Sequence, residues 1–277
     1  MFRQSAMVTP TALPPLNRDA PGRSAPDVGL HSRSAEAADA SAAPSLGSAV
    51  AVLVLTDFAP GSRLWAAGRL VLGRRPLRDV PGLRFVKVLG SGHEGGFGLR
   101  PSLSRQGLFC VFDDDRSADR FLDSSKIVAA YRARARECLT VKLRAFSCRG
   151  TWSGTSIPVS TAAPAHGPIA ALTRASIRPA VAVAFWRKSP PAERSLETAD
   201  GCLLAVGLGE APLLRQATFS LWQSVEHMDR YARSGAHLDA IRAAYAGRYF
   251  SESMFVRFVP DDPRGVWKGK AFGQAAH

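Results

Sequence analysis

The sequence predicts an α+β protein of two ferredoxin-like (βαββαβ) repeats that close into one pseudo-dimeric α+β barrel. Three observations carry this expectation. First, residues 214–260 read as strand, helix, strand. Residues 216–222 have the alternation and bulk of a strand, and Ser224 stands as an N-cap. Val225, Met228, Tyr231, Ala232, Leu238, Ile241 and Tyr245 then make one apolar stripe, interrupted at Ser234-Gly235. Second, the unit occurs earlier at a shift of 110 positions. Arg105-Gln106-Gly107-Leu108-Phe109 matches Arg215-Gln216-Ala217-Thr218-Phe219, and Asp119-Arg120-Phe121 matches Asp229-Arg230-Tyr231. So long a shift marks a duplicated domain rather than a solenoid. Third, helices cover only one face of a ferredoxin-like sheet. Two sheets from one chain, packed face to face, bury the other face and enclose a space suited to an apolar ligand.

In chain order, residues 1–48 are rich in Pro, Ala, Ser and Arg and read as a disordered tail, too poor in large apolar residues to offset ordering entropy. The first repeat, 49–148, reads as strand 49–60, helix 61–72, a turn region, strand 83–89, a Gly-rich loop Gly90–Gly98, strand 106–112, helix 117–136 and strand 140–147. Val88 to Arg105 spans 17 positions where Val206 to Arg215 spans 9, so the second repeat lacks eight residues of this loop. Residues 149–167 are Ser/Thr/Pro/Gly-rich and read as a linker. The second repeat, 168–260, opens with strand 169–174, where Leu172-Thr173 stands for Leu55-Thr56. Helix 179–186, weakened by Val181 and Val183, a turn at 190–195 and strand 202–208 follow. Residues 261–277 read as a C-terminal tail.

At 277 residues and 46% hydrophobic content the chain fits about two domains with a sizeable core. No run approaches the roughly 20 apolar residues of a spanning helix, and the N-terminus lacks a secretory signal. The four cysteines form no CxxC pair; Cys110 and Cys202 lie in apolar runs as buried thiols, a reduced, cytosolic-type pattern that disfavours zinc. The net charge of +13 is spread rather than gathered in one tract. It fits solvated arginine-rich faces or attraction to an anionic membrane, and no nucleic-acid motif is present. Hydrolytic signatures are missing: there is no G-x-S-x-G, His93-Glu94 lacks the second His of a zincin, and the Gly-rich loop lacks the Gly-Lys-Ser/Thr of a P-loop.

Four long motifs then fall in order: 55–65 (Leu-Thr-Asp-Phe-Ala-Pro-Gly-Ser-Arg-Leu-Trp), 88–102 (Val-Leu-Gly-Ser-Gly-His-Glu-Gly-Gly-Phe-Gly-Leu-Arg-Pro-Ser), 207–212 (Gly-Leu-Gly-Glu-Ala-Pro) and 231–237 (Tyr-Ala-Arg-Ser-Gly-Ala-His). Together they resemble the spheroidene monooxygenase family, the carotenoid 2-ketolases of purple phototrophic bacteria, across residues 49–260. Residues 219–241 are also similar to antibiotic-biosynthesis-type monooxygenase domains, whose fold is the dimeric α+β barrel. The resemblance implies oxidation of C-2 of spheroidene and related acyclic carotenoids to a ketone, with O₂, reduced ferredoxin and haem iron. It implies a cytoplasmic protein in peripheral contact with the photosynthetic inner membrane. Two alternatives stay open: a cofactor-independent oxygenase of the same barrel type, and a non-catalytic carotenoid or haem carrier.

A haem needs an axial ligand, usually His, Cys, Met or Tyr. Of six histidines, His31 and His277 lie in the tails and His166 in the linker. His227 corresponds to Ser117 in the repeat and is expected at the surface. His237 corresponds to Ile127, an apolar position, and fits either a satisfied core histidine or a ligand. With a haem-dependent family in view it is the candidate iron ligand. His93, in the Gly-rich insertion, is either an incidental loop residue or a catalytic residue on a lid, with Glu94 orienting its ring. Arg105, Arg215 and Arg233 are candidates for haem propionates, against plain solvation, and Arg215 and Arg233 are carried forward. Trp65, Trp186, Trp222 and Phe219 read as core aromatics, one or two of which could line a polyene tunnel.

Overall fold

Eight antiparallel strands close into a barrel in the computed structural model, which describes residues 48–96, 100–211, 214–233, 235, 242 and 247–273. The first half runs β1 (Val50–Phe58), α1 (Arg63–Leu72), β2 (Leu83–Gly92), β3 (Pro101–Phe112), α2 (Asp115–Ser124), α3 (Lys126–Arg134) and β4 (Ala135–Gly150). The second runs β5 (Ile169–Ile177), α4 (Ala182–Glu197), β6 (Cys202–Ala211), β7 (Arg215–Trp222), α5 (Val225–Ala232) and β8 (Phe250–Trp267), and a short β9 (Lys270–Phe272) follows. Strand order β4-β1-β3-β2 in one half repeats as β8-β5-β7-β6 in the other. The halves join through β2–β6 and β4–β8, so the sheet has no open edge among its eight main strands.

The registers prove the duplication. β1 meets β3 from Val50 opposite Phe112 to Asp57 opposite Arg105, and β5 meets β7 from Ile169 opposite Trp222 to Ser176 opposite Arg215. Phe109 and Phe219 are therefore equivalent, facing Leu53 and Leu172. The same ladders correct one alignment: Leu172-Thr173 answers to Leu53-Val54, not Leu55-Thr56. A strand repeats every two residues, so a two-residue slip keeps every face and is invisible in a hydrophobic pattern.

Alternation along the strands divides the core into three. Leu53, Leu55, Phe109, Leu172, Phe219 and Phe258 fill the barrel interior. Val50, Val52, Val54, Leu108 and Cys110 face outward under α1–α3, packed with Phe121, Val128 and Tyr131. Ile169, Ala171, Ala205 and Trp222 face outward in the second half, packed with Leu196 and Met228. Each fully buried large apolar side chain contributes about 1.5–3 kcal/mol.

Four expectations are corrected. The helix predicted over 117–136 is two helices, because Ser125 stops one and caps the next, accepting the Ile127 N–H at 3.2 Å. Residues 190–195 are helical within α4, since burial of Leu196 against Trp222 and Met228 extends the helix past the Pro-Pro turn signal. The tail predicted from 261 is strand to Phe272, pairing with β4 and then folding back as β9. The register also sets Gly90 and Gly209 opposite Gln106 and Gln216, so the Gly-rich insertion is nine residues rather than eight. The expected tail 1–48 lies outside the described residues except for Ser48.

Candidate functional site

The two halves differ most on the surface that faces their helices. Two ladder rows cross the three central strands of each half. In the first half they are Val52–Cys110–Val86 and Val54–Leu108–Val88. The equivalent rows of the second half are Ala171–Ser220–Ala205 and Thr173–Thr218–Gly207. Every position has become smaller or more polar. Val54 is fully buried, yet its counterpart Thr173, in the middle of a central strand, is exposed. A close-packed interior does not leave the middle of a sheet uncovered. The second half thus has a floor of small side chains that is open at Thr173, while Ala171, Ala205, Gly207 and Ser220 are buried beneath the protein's own side chains. Trp222, Met228 and Tyr231 wall one end of it, the Trp222 and Tyr231 rings lying 5.4 Å apart.

A second pair of features was missed in the sequence. Arg149-Gly150-Thr151-Trp152-Ser153-Gly154 repeats as Arg264-Gly265-Val266-Trp267-Lys268-Gly269. The shift of 115 is the one that relates β4 to β8, Val141 and Val256 facing Leu53 and Leu172. The signal was legible, but it lay in stretches whose composition read as linker and tail. Each copy bends at a glycine where a Cβ would lie 2.1 Å from the Ser253 carbonyl oxygen or 2.0 Å from that of Cys138. Each then turns through two residues of positive φ, Ser153-Gly154 and Lys268-Gly269, and buries its tryptophan in the barrel interior. A glutamate of the opposite half caps each turn. Glu252 accepts the Gly154 N–H at 2.9 Å, and Glu137 accepts the Lys268 and Gly269 N–H groups, each at 2.8 Å.

The surroundings of the two indoles are unlike. Trp152 Nε1 donates to Glu210 Oε2 at 2.9 Å, and Lys87 Nζ donates to Glu210 Oε1 at 2.6 Å. The buried Arg174 pairs with Glu252 and sits 3.6 Å from Glu210. Burial by itself would raise the Glu210 carboxyl, but hydrogen bonds from Lys87 and Trp152 and the charges of Lys87 and Arg174 hold it below its ordinary value. At the equivalent places around Trp267, Arg174 becomes Leu55, Lys87 becomes Val206 and Glu210 becomes Ser91. Trp267 Nε1 is buried with no hydrogen-bond partner among the described residues, and the Arg105 guanidinium lies 5.6 Å from its ring.

The predicted site residues are scattered. His93 is exposed in a 3₁₀ turn, His93–Gly95, at the tip of the β2–β3 hairpin, its N–H donating to Arg100 O at 2.7 Å. The neighbouring Gly95 lies against Arg105 and Lys268, on the Trp267 side. The Glu94 side chain is outside the described residues, and so is His237 with Ser234 and Leu238. Arg215 is exposed and shares the inward parity of Ala217 and Phe219, away from the small-residue floor. Arg233 follows α5, exposed and paired with Asp229 at 3.2 Å. Arg105 pairs with the buried Asp57 at 3.2 Å. His227, expected at the surface, is half-buried: Nδ1 is 3.0 Å from the capping Ser224 hydroxyl and Nε2 is 3.6 Å from Asp200. Of the aromatics, Trp222 and Phe219 are core residues on opposite faces of β7.

No family model matches the chain. It is similar to a protein named spheroidene monooxygenase from Rubrivivax gelatinosus, 56% identical over 236 residues, 85% of this chain and 91% of that one. It is similar to another of that name from Rhodobacter capsulatus, 36% identical over 226 residues, 80% and 94% of the two chains. Among solved structures, an aldoxime dehydratase crystallised with butyraldoxime aligns over 76% of this chain and 79% of its own, at 12% identity and a TM-score of 0.51, a likeness of fold alone.

Proposed function

The chain belongs to the spheroidene monooxygenase family, and from that premise we propose a carotenoid monooxygenase that converts C-2 of spheroidene-like acyclic carotenoids to a ketone, with haem as cofactor and reduced ferredoxin as donor. The observation that carries the cofactor is the small-residue floor of the second half. A planar macrocycle needs a surface without projecting side chains, and the exposed Thr173 and half-buried Thr218, beside Gly207, offer one where the first half has Val54, Leu108 and Val88, Ala171 and Ala205 being already covered. The residues present therefore fit the group. His237 is its proposed iron ligand: the repeat partner Ile127 packs partly buried on the helix-side core of the first half. Arg215 does not fit a propionate on this floor, because it has the inward parity; Arg233, beyond α5, retains that role in the proposal.

When bound, the haem iron supplies the oxygen activation that an unactivated C–H bond requires and that side chains cannot provide. The chain supplies position. The floor would carry the ring, and Trp222, Met228 and Tyr231 would close one end and exclude water. In this proposal His93 keeps the catalytic role on a lid, from an exposed turn between β2 and β3. Two successive hydroxylations of one methylene, each consuming O₂, two electrons and two protons and releasing one water, give a geminal diol. That diol loses water to give the ketone.

The test is the absorption spectrum of the purified chain, alone and as His237→Ala, followed by turnover with spheroidene, O₂ and reduced ferredoxin. A Soret band that shifts on reduction under CO and is lost in His237→Ala is expected, with two O₂ consumed per ketone. A colourless protein that still turns over would replace the reading with cofactor-free oxygenation; a coloured one that never turns over would make it a carrier.

A further inference from the structure

The exposed face of α1 is apolar where a surface helix should be polar. Leu64, Ala67, Gly68 and Val71 form its outer stripe at helical spacing, and Leu64 and Val71 are 90% and 87% exposed. The opposite face is buried through Ala66 and Arg69. An exposed helix face this apolar calls for a partner or a membrane, and this one lies on the outside of the barrel. The charges around it are mostly of one sign, Asp79 next to Arg78 being the exposed exception. From Ala59 to Arg78 the chain has no carboxylate, and Arg63, Arg74, Arg75 and Arg78 stand exposed at the two ends of the helix.

We propose that α1 and the arginine cluster after it are a membrane-docking surface, with Leu64 and Val71 inserted among the lipid tails and the arginines on anionic headgroups. The chemistry matches on both counts. Exposed apolar side chains gain by leaving water, and basic side chains at an anionic surface each add attraction within a Debye length. No helix among the described residues is long and apolar enough to cross a membrane, so contact through one helix face is the mode this surface allows. The inference deepens the carotenoid reading by giving a membrane-borne substrate its point of transfer, but its evidence is independent of that reading.

The experiment is sedimentation of the purified full chain with vesicles of equal parts phosphatidylcholine and phosphatidylglycerol, no substrate present, against vesicles of phosphatidylcholine alone. Binding to the anionic vesicles is expected, weakened by salt. Leu64→Asp with Val71→Asp, and separately Arg74→Glu with Arg75→Glu and Arg78→Glu, should each lower the bound fraction about tenfold or more. Val183→Asp is the control: Val183 is 68% exposed at the position of α4 equivalent to Leu64, and its replacement should leave binding unchanged. Wild-type protein that stays in the supernatant at low salt overturns the proposal, as do α1 variants that bind like wild type. A change of mass in light scattering on replacing Leu64 and Val71 would make the stripe a contact between copies of the chain, and overturns it too. Because no turnover is read, failure here leaves the oxygenase reading standing, and failure of turnover leaves this result standing.

Discussion

Glu252 offers the sharpest test of how the two halves are locked together. Its carboxylate accepts the Gly154 N–H and the Thr151 hydroxyl, each at 2.9 Å, and pairs with the buried Arg174. Burial opposes its ionisation, but those donors outweigh burial and bring its pKa from the ordinary 4.5 to about 2. That difference is worth about 3 kcal/mol of stability at neutral pH. The sign follows from the depression. The contribution is fully present above the unfolded-state value and is lost as pH falls toward the folded one, so that at pH 3 roughly half remains. Glu252→Gln keeps the shape, removes the charge, and leaves Arg174 with Glu210 as its charged partner at 3.6 Å. At this size about 1 kcal/mol moves a melting temperature by roughly 2–4 °C, so a fall of about 6–12 °C at pH 7 is expected. Urea titrations of both proteins at pH 7 and pH 3 should show the gap between them narrowing by about half. Equal gaps at the two pH values, or no gap at pH 7, would refute the assignment of Glu252 as the charged cap of the Trp152 turn.

Two further outcomes follow from the pseudo-symmetry. Trp152→Phe and Trp267→Phe lose the same ring volume, but only the first deprives Glu210 of a donor; thermal melts should find Trp152→Phe the costlier by about 1–2 kcal/mol, and equal costs would count against the hydrogen-bond asymmetry. Giving the open part of the floor the side chains of the first half, as Thr173→Val with Thr218→Leu, should abolish haem retention in the absorption spectrum while the melting temperature of the cofactor-free chain holds or rises; full retention would remove the floor from the site.

Much of the architecture was legible because duplication is a long-range signal carried in local sequence. Arg105–Phe109 and Arg215–Phe219 share their pattern because both strands must present one face inward and one toward helices. The Ser224 cap could be read for the same reason: its hydroxyl accepts from a residue three positions on, His227. What stayed hidden depended on pairing across the barrel. Glu252 and Glu137 look like solvated strand residues until the β4–β8 ladder brings each to a turn more than ninety residues away. The tryptophan hairpins were obscured by a different cause: Gly, Ser and Thr around Trp152 have linker composition, although the turn they build is as specific as a strand. The assignment of the candidate ligand His237 rests on its repeat partner Ile127 together with the family resemblance, and it lies outside the described residues.

The comparison of halves carries one step beyond either half. Both descend from one pattern, so the first half shows what a packed helix-facing surface requires in this fold: Val52, Val54, Val86, Val88 and Leu108 under Phe121, Val128 and Tyr131. The second half has given up that volume at all five positions. Truncating a buried Val or Leu costs on the order of 1–3 kcal/mol each in a core that cannot collapse. A ligand bound over the exposed Thr173 would restore part of that stability in proportion to its occupancy. The first half is therefore the more heavily packed of the two on its helix side. The charged network at Trp152, spanning Lys87 of the first half and Arg174, Glu210 and Glu252 of the second, ties the two halves together.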